Sequence, residues 1–367
     1  MAVEAQTRKR GAGRWAFPAA LAWSAGVALL ALAWAAEVLP HPFSRAGAVN
    51  IGAVLNAFDP VVGSAFMLAL GALGTACGAV LVRAPAGVAG RAASVTALLI
   101  AGMIVLVPMQ GALLTLLGYT PVVIVAGWAI PGLPSSYVEY VTSAENLFLV
   151  YCALGAVLWG VSGLVGLRLQ RDACTSCGRA EGRTREHEER VRAAALRTGR
   201  IAVAVAVASS LVYPSIRIPW LFGYYPGLGG EEGFAPDTGT LIIGMGLASG
   251  AMGGAVLMLG LVQRWGVRFP RWMVGLAGRR VPVSLAVVPA TLVALALVSL
   301  GKVVLAAWLT GRFYTASAPG GVDAVHEAAF GSMLVWGAAL AVATGAYWIR
   351  RRAECTTCGE GFPESFR

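Results

Sequence analysis

Arg171-Asp172-Ala173-Cys174-Thr175-Ser176-Cys177-Gly178 and Arg352-Ala353-Glu354-Cys355-Thr356-Thr357-Cys358-Gly359 are two versions of one short stretch. Each is a C-x-x-C-G knuckle, and each follows a long apolar segment that ends in arginines. A motif repeated at matching places predicts a duplicated chain whose halves each bring one cysteine pair to the same face.

The surrounding composition predicts a membrane protein. Charged residues make up 13% of the chain, hydrophobic residues 57%, and the mean hydropathy is +0.72. Apolar stretches near the ~20 residues needed to span a bilayer recur along the whole length. The formal charge of +10 invites a nucleic-acid reading, but its placement argues against one. Nearly all Lys and Arg fall in the termini and in alternate loops; Arg45 and Arg312 lie in the opposite loops, and Arg217 and Lys302 lie inside apolar segments. That asymmetry is the positive-inside pattern. It predicts an inner (plasma) membrane protein with both termini cytosolic and no nucleic-acid partner. The first apolar stretch reads as a transmembrane helix and not as a cleaved signal.

Eight spans are expected, at roughly 15–38, 59–82, 92–117, 145–167, 201–222, 238–262, 281–309 and 325–349. The fold class is therefore all-α integral membrane, with eight helices in two tandem parallel four-helix repeats. The divisions are a cytosolic tail 1–14, a first repeat 15–168, a cytosolic loop 169–199 with the first knuckle, a second repeat 200–350, and a cytosolic tail 351–367 with the second. The apolar stretch 121–131 is too short to cross a ~30 Å core at ~1.5 Å per residue. It reads either as a re-entrant or interface-lying segment or as a loop packed on the bundle. Glu186 to Arg192 carry mixed charge at helical spacing and read as a solvated helix, with His187 a weak alternative metal ligand.

Four helices return the chain to the same side, so the halves are expected to be parallel repeats. Gly74-Thr75-Ala76-Cys77-Gly78 aligns without a gap on Gly250-Ala251-Met252-Gly253-Gly254, Glu145 heads its segment as Glu327 does, and Gln110 falls near the place of Lys302. The paired small residues make the second and sixth segments candidates for the closest helix packing.

Two constellations carry chemistry. Zinc takes four thiolates in a tetrahedron, and each C-x-x-C supplies two, so Cys174, Cys177, Cys355 and Cys358 form a candidate structural zinc site. The knuckles resemble the halves of zinc ribbons. A redox dithiol is the alternative, without the βαβ context such motifs usually have; unliganded thiols are the third possibility. Cys77 and Cys152 read as small core residues. The second constellation is Lys302 and Arg217, which are costly if they face lipid. With Glu145 and Glu327 they are a candidate polar pocket between the halves for an anionic ligand or proton coupling; the competing readings are register-fixing ion pairs and snorkelling to the interface. Three histidines are too few for a paired-histidine haem site, and no nucleotide-binding loop, H-E-x-x-H or G-x-S-x-G motif occurs in a supporting context.

The stretch Arg264-Trp265-Gly266-Val267-Arg268-Phe269-Pro270-Arg271-Trp272, continuing through Gly278-Arg279-Arg280-Val281-Pro282, together with 213–223 and the arginine-rich cysteine loops, resembles a group of polytopic membrane proteins of high-GC bacteria. The resemblance covers mainly the second half and implies membrane architecture, with no catalytic residues. Its alternating arginines and rings suit contact with anionic lipid at the inner leaflet; a solvated basic loop is the other reading. Three functions are compatible with the whole: a non-ATP-driven transporter or ligand-binding membrane protein acting on an unknown small molecule, a scaffold docking a protein partner, and a membrane thiol oxidoreductase.

Overall fold

The computed structural model describes residues 13–42, 54–129, 131–180, 182, 184–225, 238–271, 273–302, 304 and 324–362. Expectations placed on Arg45 and Arg312, and on the side chain of Glu327, lie outside these residues.

The described chain is helical, with one isolated antiparallel bridge, Arg268 to Arg280, and no strand among the described residues. The helices are α1 Ala16–Ala35, α2 Pro60–Arg83, α3 Gly87–Leu106, α4 Ala112–Ala126, α5 Leu133–Thr142, α6 Ala144–Gln170, α7 Arg185–Ser210, α8 Val212–Arg217, α9 Thr238–Leu259, α10 Val283–Gly301 and α11 Ala324–Arg351. Local chemistry sets several starts. Asp59 accepts the Val61 N–H at 3.0 Å with Pro60 at the first helical position of α2. Ser143 accepts from Asn146 N–H at 3.3 Å to open α6, and Thr184 from His187 N–H at 3.3 Å to open α7. Each satisfies an amide that the helix itself leaves open.

Seven helical stretches are long and apolar enough to cross a membrane: α1, α2, α3, α6, 185–222, α10 and the part of α11 from Ala328. The apolar part of α9, Gly244–Leu259, is shorter. The third span was expected to continue to residue 117, but α3 stops at Leu106 and α4 begins at Ala112. Pro108 explains the break: it lacks an N–H, and it pushes Val107 out of ideal helical geometry, to φ −111° and ψ −69°. α4 absorbs the first part of the ambiguous 121–131 stretch. Its 15 residues reach only ~22 Å, and it packs on α10 and α6 before α5 leads back to the start of α6.

α1 lies along α2 and α3 along α6, and α1–α6 and α2–α3 contacts close this four-helix set. In the second set α7 and α10 both lie along α11, with α9 on α7 and α8. The sets meet where α10 packs on α4 and α3. Each set has its own apolar core: one centres on Trp23, Trp34, Met67 and Trp159, the other on Leu297, Trp336 and Tyr347. Polar bonds reinforce the first core. Trp23 Nε1 donates to the Tyr151 carbonyl at 2.8 Å while the Tyr151 hydroxyl donates to the Trp23 carbonyl at 2.9 Å, satisfying buried aromatic groups pairwise.

The small-residue expectation holds for α2 and fails for α9. A Cβ at Gly71 would lie 2.7 Å from the Ala28 amide nitrogen, and one at Gly74 2.2 Å from Ser24 Oγ. A Cβ at Gly250 meets nothing within 4 Å, and one at Gly254 meets only the Trp336 ring at an ordinary 3.5 Å, so neither aligned glycine of α9 is needed for a close approach. Gly71→Val forces α1 and α2 apart and is expected to cost about 1–3 kcal/mol. Gly250→Ala is expected to leave stability unchanged or slightly raised; thermal unfolding in detergent reads both, and equal effects would remove the distinction.

Candidate metal centre

α6 and α11 each run off their last turn into a knuckle. The two knuckles share one backbone design. Cys174 N–H donates to Arg179 O at 2.8 Å and Gly178 N–H to Cys174 O at 2.7 Å; in the second, Cys355 N–H donates to Glu360 O at 3.0 Å and Gly359 N–H to Cys355 O at 2.7 Å. Gly178 and Gly359 sit at φ 73° and 71°, the left-handed region where a side chain is strained. The four sulfurs converge, all within 4.8 Å of one another, with Cys177 Sγ 3.7 Å from Cys358 Sγ. Cys177 follows α6, the last helix of the first set, and Cys358 follows α11, the last of the second, so the cluster ties the two helix sets together. It can hold a metal ion. No pair is disulfide-bonded.

The surroundings act on the thiols in opposite directions. Burial acts to raise the Cys355 thiol, but amide donors from Cys358 and Thr357 outweigh it and bring the group down to about 6. Burial and the adjacent sulfurs push Cys358 up, and burial likewise raises Cys177.

Arginines fasten the knuckles by their carbonyls. Arg168 Nη1, in the last turn of α6, donates to Thr175 O at 2.7 Å and Ser176 O at 3.2 Å. Arg352 Nη1, beyond α11, donates across to Cys177 O at 3.1 Å. Arg179 reaches the other way: Nη1 to Ala353 O at 2.9 Å and Glu360 O at 3.3 Å, Nη2 to Arg352 O at 3.1 Å. Glu188, 1% exposed, balances this positive group. Its Oε1 accepts from Arg179 Nη2 at 2.7 Å and lies 3.4 Å from Arg352 Nε and 3.8 Å from Arg192 Nε. Burial alone would lower the Arg179 guanidinium, but the Glu188 hydrogen bond and charge raise it.

Arg179, Glu188, Arg192 and Arg352 were not anticipated. The 186–192 run was expected to be solvated and is so only in part: Arg185 and Glu189 pair in the open at 3.1 Å, and His187 stays outside the sulfur cluster. Glu188 is the exception. The buried residues of α7 include Ala195, Gly199, Ala202 and Ala206, and extending that stripe two turns back lands on Glu188. This was the available signal.

The intramembrane residues fall in separate places. Lys302 was expected two turns inside its helix and near carboxylates; it is the C-cap of α10, 1% exposed, and its ammonium donates to backbone. Its acceptors are Val105 O at 2.9 Å, Val107 O at 3.5 Å and Met109 O, the carbonyls left open where α3 breaks. Arg217 donates from Nε to the Tyr213 hydroxyl at 3.2 Å and stacks 3.9 Å from the Trp220 ring centre. Glu145 stands in the first turn of α6, where a carboxylate complements the helix dipole. Physically, the carbonyls of a broken helix are fixed and close, so they claim the lysine without the entropy of ordering a carboxylate side chain. No protein-family model, curated protein or solved structure gives a significant match to the chain.

Proposed function

We propose that this is an inner-membrane protein of eight spans, in two tandem parallel four-helix repeats with both termini cytosolic, whose halves are clasped at the cytosolic face by one structural zinc. The observation that carries this is the pair of identically bonded knuckles. Sulfurs on a tetrahedron of Zn–S ~2.3 Å lie about 3.8 Å apart, close to the 3.7 Å between Cys177 and Cys358. Burial of Cys174, Cys177 and Cys355 at 4, 7 and 8% exposure supports a closed structural site over a dithiol relay, which needs access to its partner. The recurrence of Cys177 as Cys358, 181 residues on, supports duplication. The test is elemental analysis of detergent-purified protein with titration of free thiols: one zinc per chain is expected, and metal-free protein whose thiols cycle to disulfides makes it an oxidoreductase instead.

For the membrane part we propose non-ATP-driven transport or ligand binding at the junction of the halves. One observation favours it: Lys302 of the second helix set holds the broken end of α3 in the first. Broken helices with exposed carbonyls at a repeat junction are where transporters place ions and substrates. The reading rests on Lys302: Arg217 sits on Tyr213 and Trp220, Glu145 stands in the first turn of α6, and the Glu327 side chain lies outside the described residues. Cys152, fully buried on α6, the helix along which α3 lies, reports on the junction. Charge-assisted bonds of this kind hold ~1.5–3 kcal/mol, so Lys302→Met in a Cys77→Ser background is expected to speed labelling of Cys152 by a water-soluble maleimide about ten- to a hundredfold. Cys152 inert in both chains points to a static bundle and a scaffold.

A further inference from the structure

Residues 84–86 suffice to join α2 to α3, whereas α9 and α10 are joined through 260–282, far more chain than the connection requires. The extra residues are folded. Phe269 N–H donates to Arg279 O and Gly278 N–H to Phe269 O, both at 3.0 Å, and Val281 N–H donates to Val267 O at 2.9 Å, giving a hairpin. Its base is bolted to α11: the Tyr347 hydroxyl donates to Gly266 O at 2.7 Å, and Arg351 donates to Gly266 O at 3.0 Å and Val281 O at 2.9 Å. The tip is apolar and open, with Val274 96% and Leu276 40% exposed. Around it Arg264, Arg268, Arg271, Arg279 and Arg280 are all exposed. No Asp or Glu occurs anywhere from Gln263 to Pro282, and among the described residues none of the five arginines has an ion-pair partner.

Both ends of the hairpin are the ends of apolar helices, which hold it at headgroup level. Arg351 directly precedes the second knuckle's strand of chain, so the hairpin lies on the metal-centre side. We infer that the 264–281 hairpin is a binding site for anionic phospholipid of the adjoining leaflet, its arginines meeting phosphates while Val274 and Leu276 enter the acyl boundary. This rests on the membrane reading above and is independent of the metal. An acidic protein partner is the competing occupant, and it would leave the tip in water.

The test uses the whole chain in nanodiscs of mixed phosphatidylglycerol and phosphatidylcholine. Each arginine beside an anionic surface is worth about fivefold. The ratio of phosphatidylglycerol to phosphatidylcholine retained on extraction is therefore expected to fall at least tenfold in the combined Arg268→Gln, Arg271→Gln, Arg279→Gln chain, with zinc per chain unchanged. A nitroxide on Val274→Cys, with identically treated wild type as background, is expected to be reached by oxygen and not by a water-soluble nickel chelate. An unchanged lipid ratio, or a nitroxide reached by the chelate, overturns the proposal. Should the triple variant lose zinc as well as lipid, the nitroxide on the otherwise native chain decides. Metal-free wild type with a lipid-embedded tip would overturn the zinc clasp alone.

Discussion

Cys355→Ser is expected to take zinc content from near one per chain to near zero, and so is Cys174→Ser. The two outcomes should be equal although the residues stand on different knuckles. A shared tetrahedral site loses one of its four thiolates in either case, and the three that remain leave an open position and hold the metal less tightly. Structural zinc in small domains has apparent binding free energies of ~10–16 kcal/mol, and much of that would here be spent on joining the halves. Loss of the metal should therefore lower the unfolding temperature in detergent and separate one cooperative transition into two, one per helix set. Chelation of the wild-type protein should do the same. Half the zinc remaining after either substitution would mean that each knuckle binds metal independently, with a group from elsewhere, and the clasp would be discarded.

Glu188→Ala is expected to destabilise by about 3–5 kcal/mol, the range for removing one partner of a buried ion pair. Glu189→Ala, one residue on, is expected to cost less than about 0.5 kcal/mol. The contrast follows from burial: side-chain exposure is 2% at Glu188 and 55% at Glu189. Without Glu188, the guanidinium groups of Arg179, Arg192 and Arg352 face one another in a site that admits little water. Because Arg179 and Arg352 also carry the cross-knuckle bonds, Glu188→Ala should loosen the metal as well as the fold. Chemical unfolding and zinc-release kinetics measured on the two variants check both halves of this expectation; equal behaviour of Glu188→Ala and Glu189→Ala would show that the buried carboxylate is not what holds the arginines.

The helical membrane architecture and the convergence of four cysteines were legible because both rest on strong, local patterns: long apolar runs, and C-x-x-C-G at matching distances from arginine-ended segments. The partners of buried charge were not. Lys302 looked as though it needed carboxylates, since pairing opposite charges is the obvious way to seat a cation in a bundle. The carbonyls that seat it exist only because Pro108 ends α3, and a helix break changes which backbone groups are free without changing hydropathy. Glu188 was hidden for the opposite reason. It lies in a run whose neighbours, Arg185 and Glu189, are solvated, and composition averages over faces. The equivalence of Gly74 and Gly250 failed because small residues permit a close approach without compelling one; the neighbouring helix decides.

The placement of the two knuckles also sets a clock. Ribosomes add about 5–20 residues per second, so the 181 residues between Cys177 and Cys358 take roughly 10–35 s to make. During that interval the first cysteine pair has emerged, and every helix of the second set must enter the bilayer before its complement exists. On the proposed zinc clasp, metal capture is the closing event of biogenesis, and a chain that mis-inserts a later helix is left with the two thiols of its first knuckle unmatched.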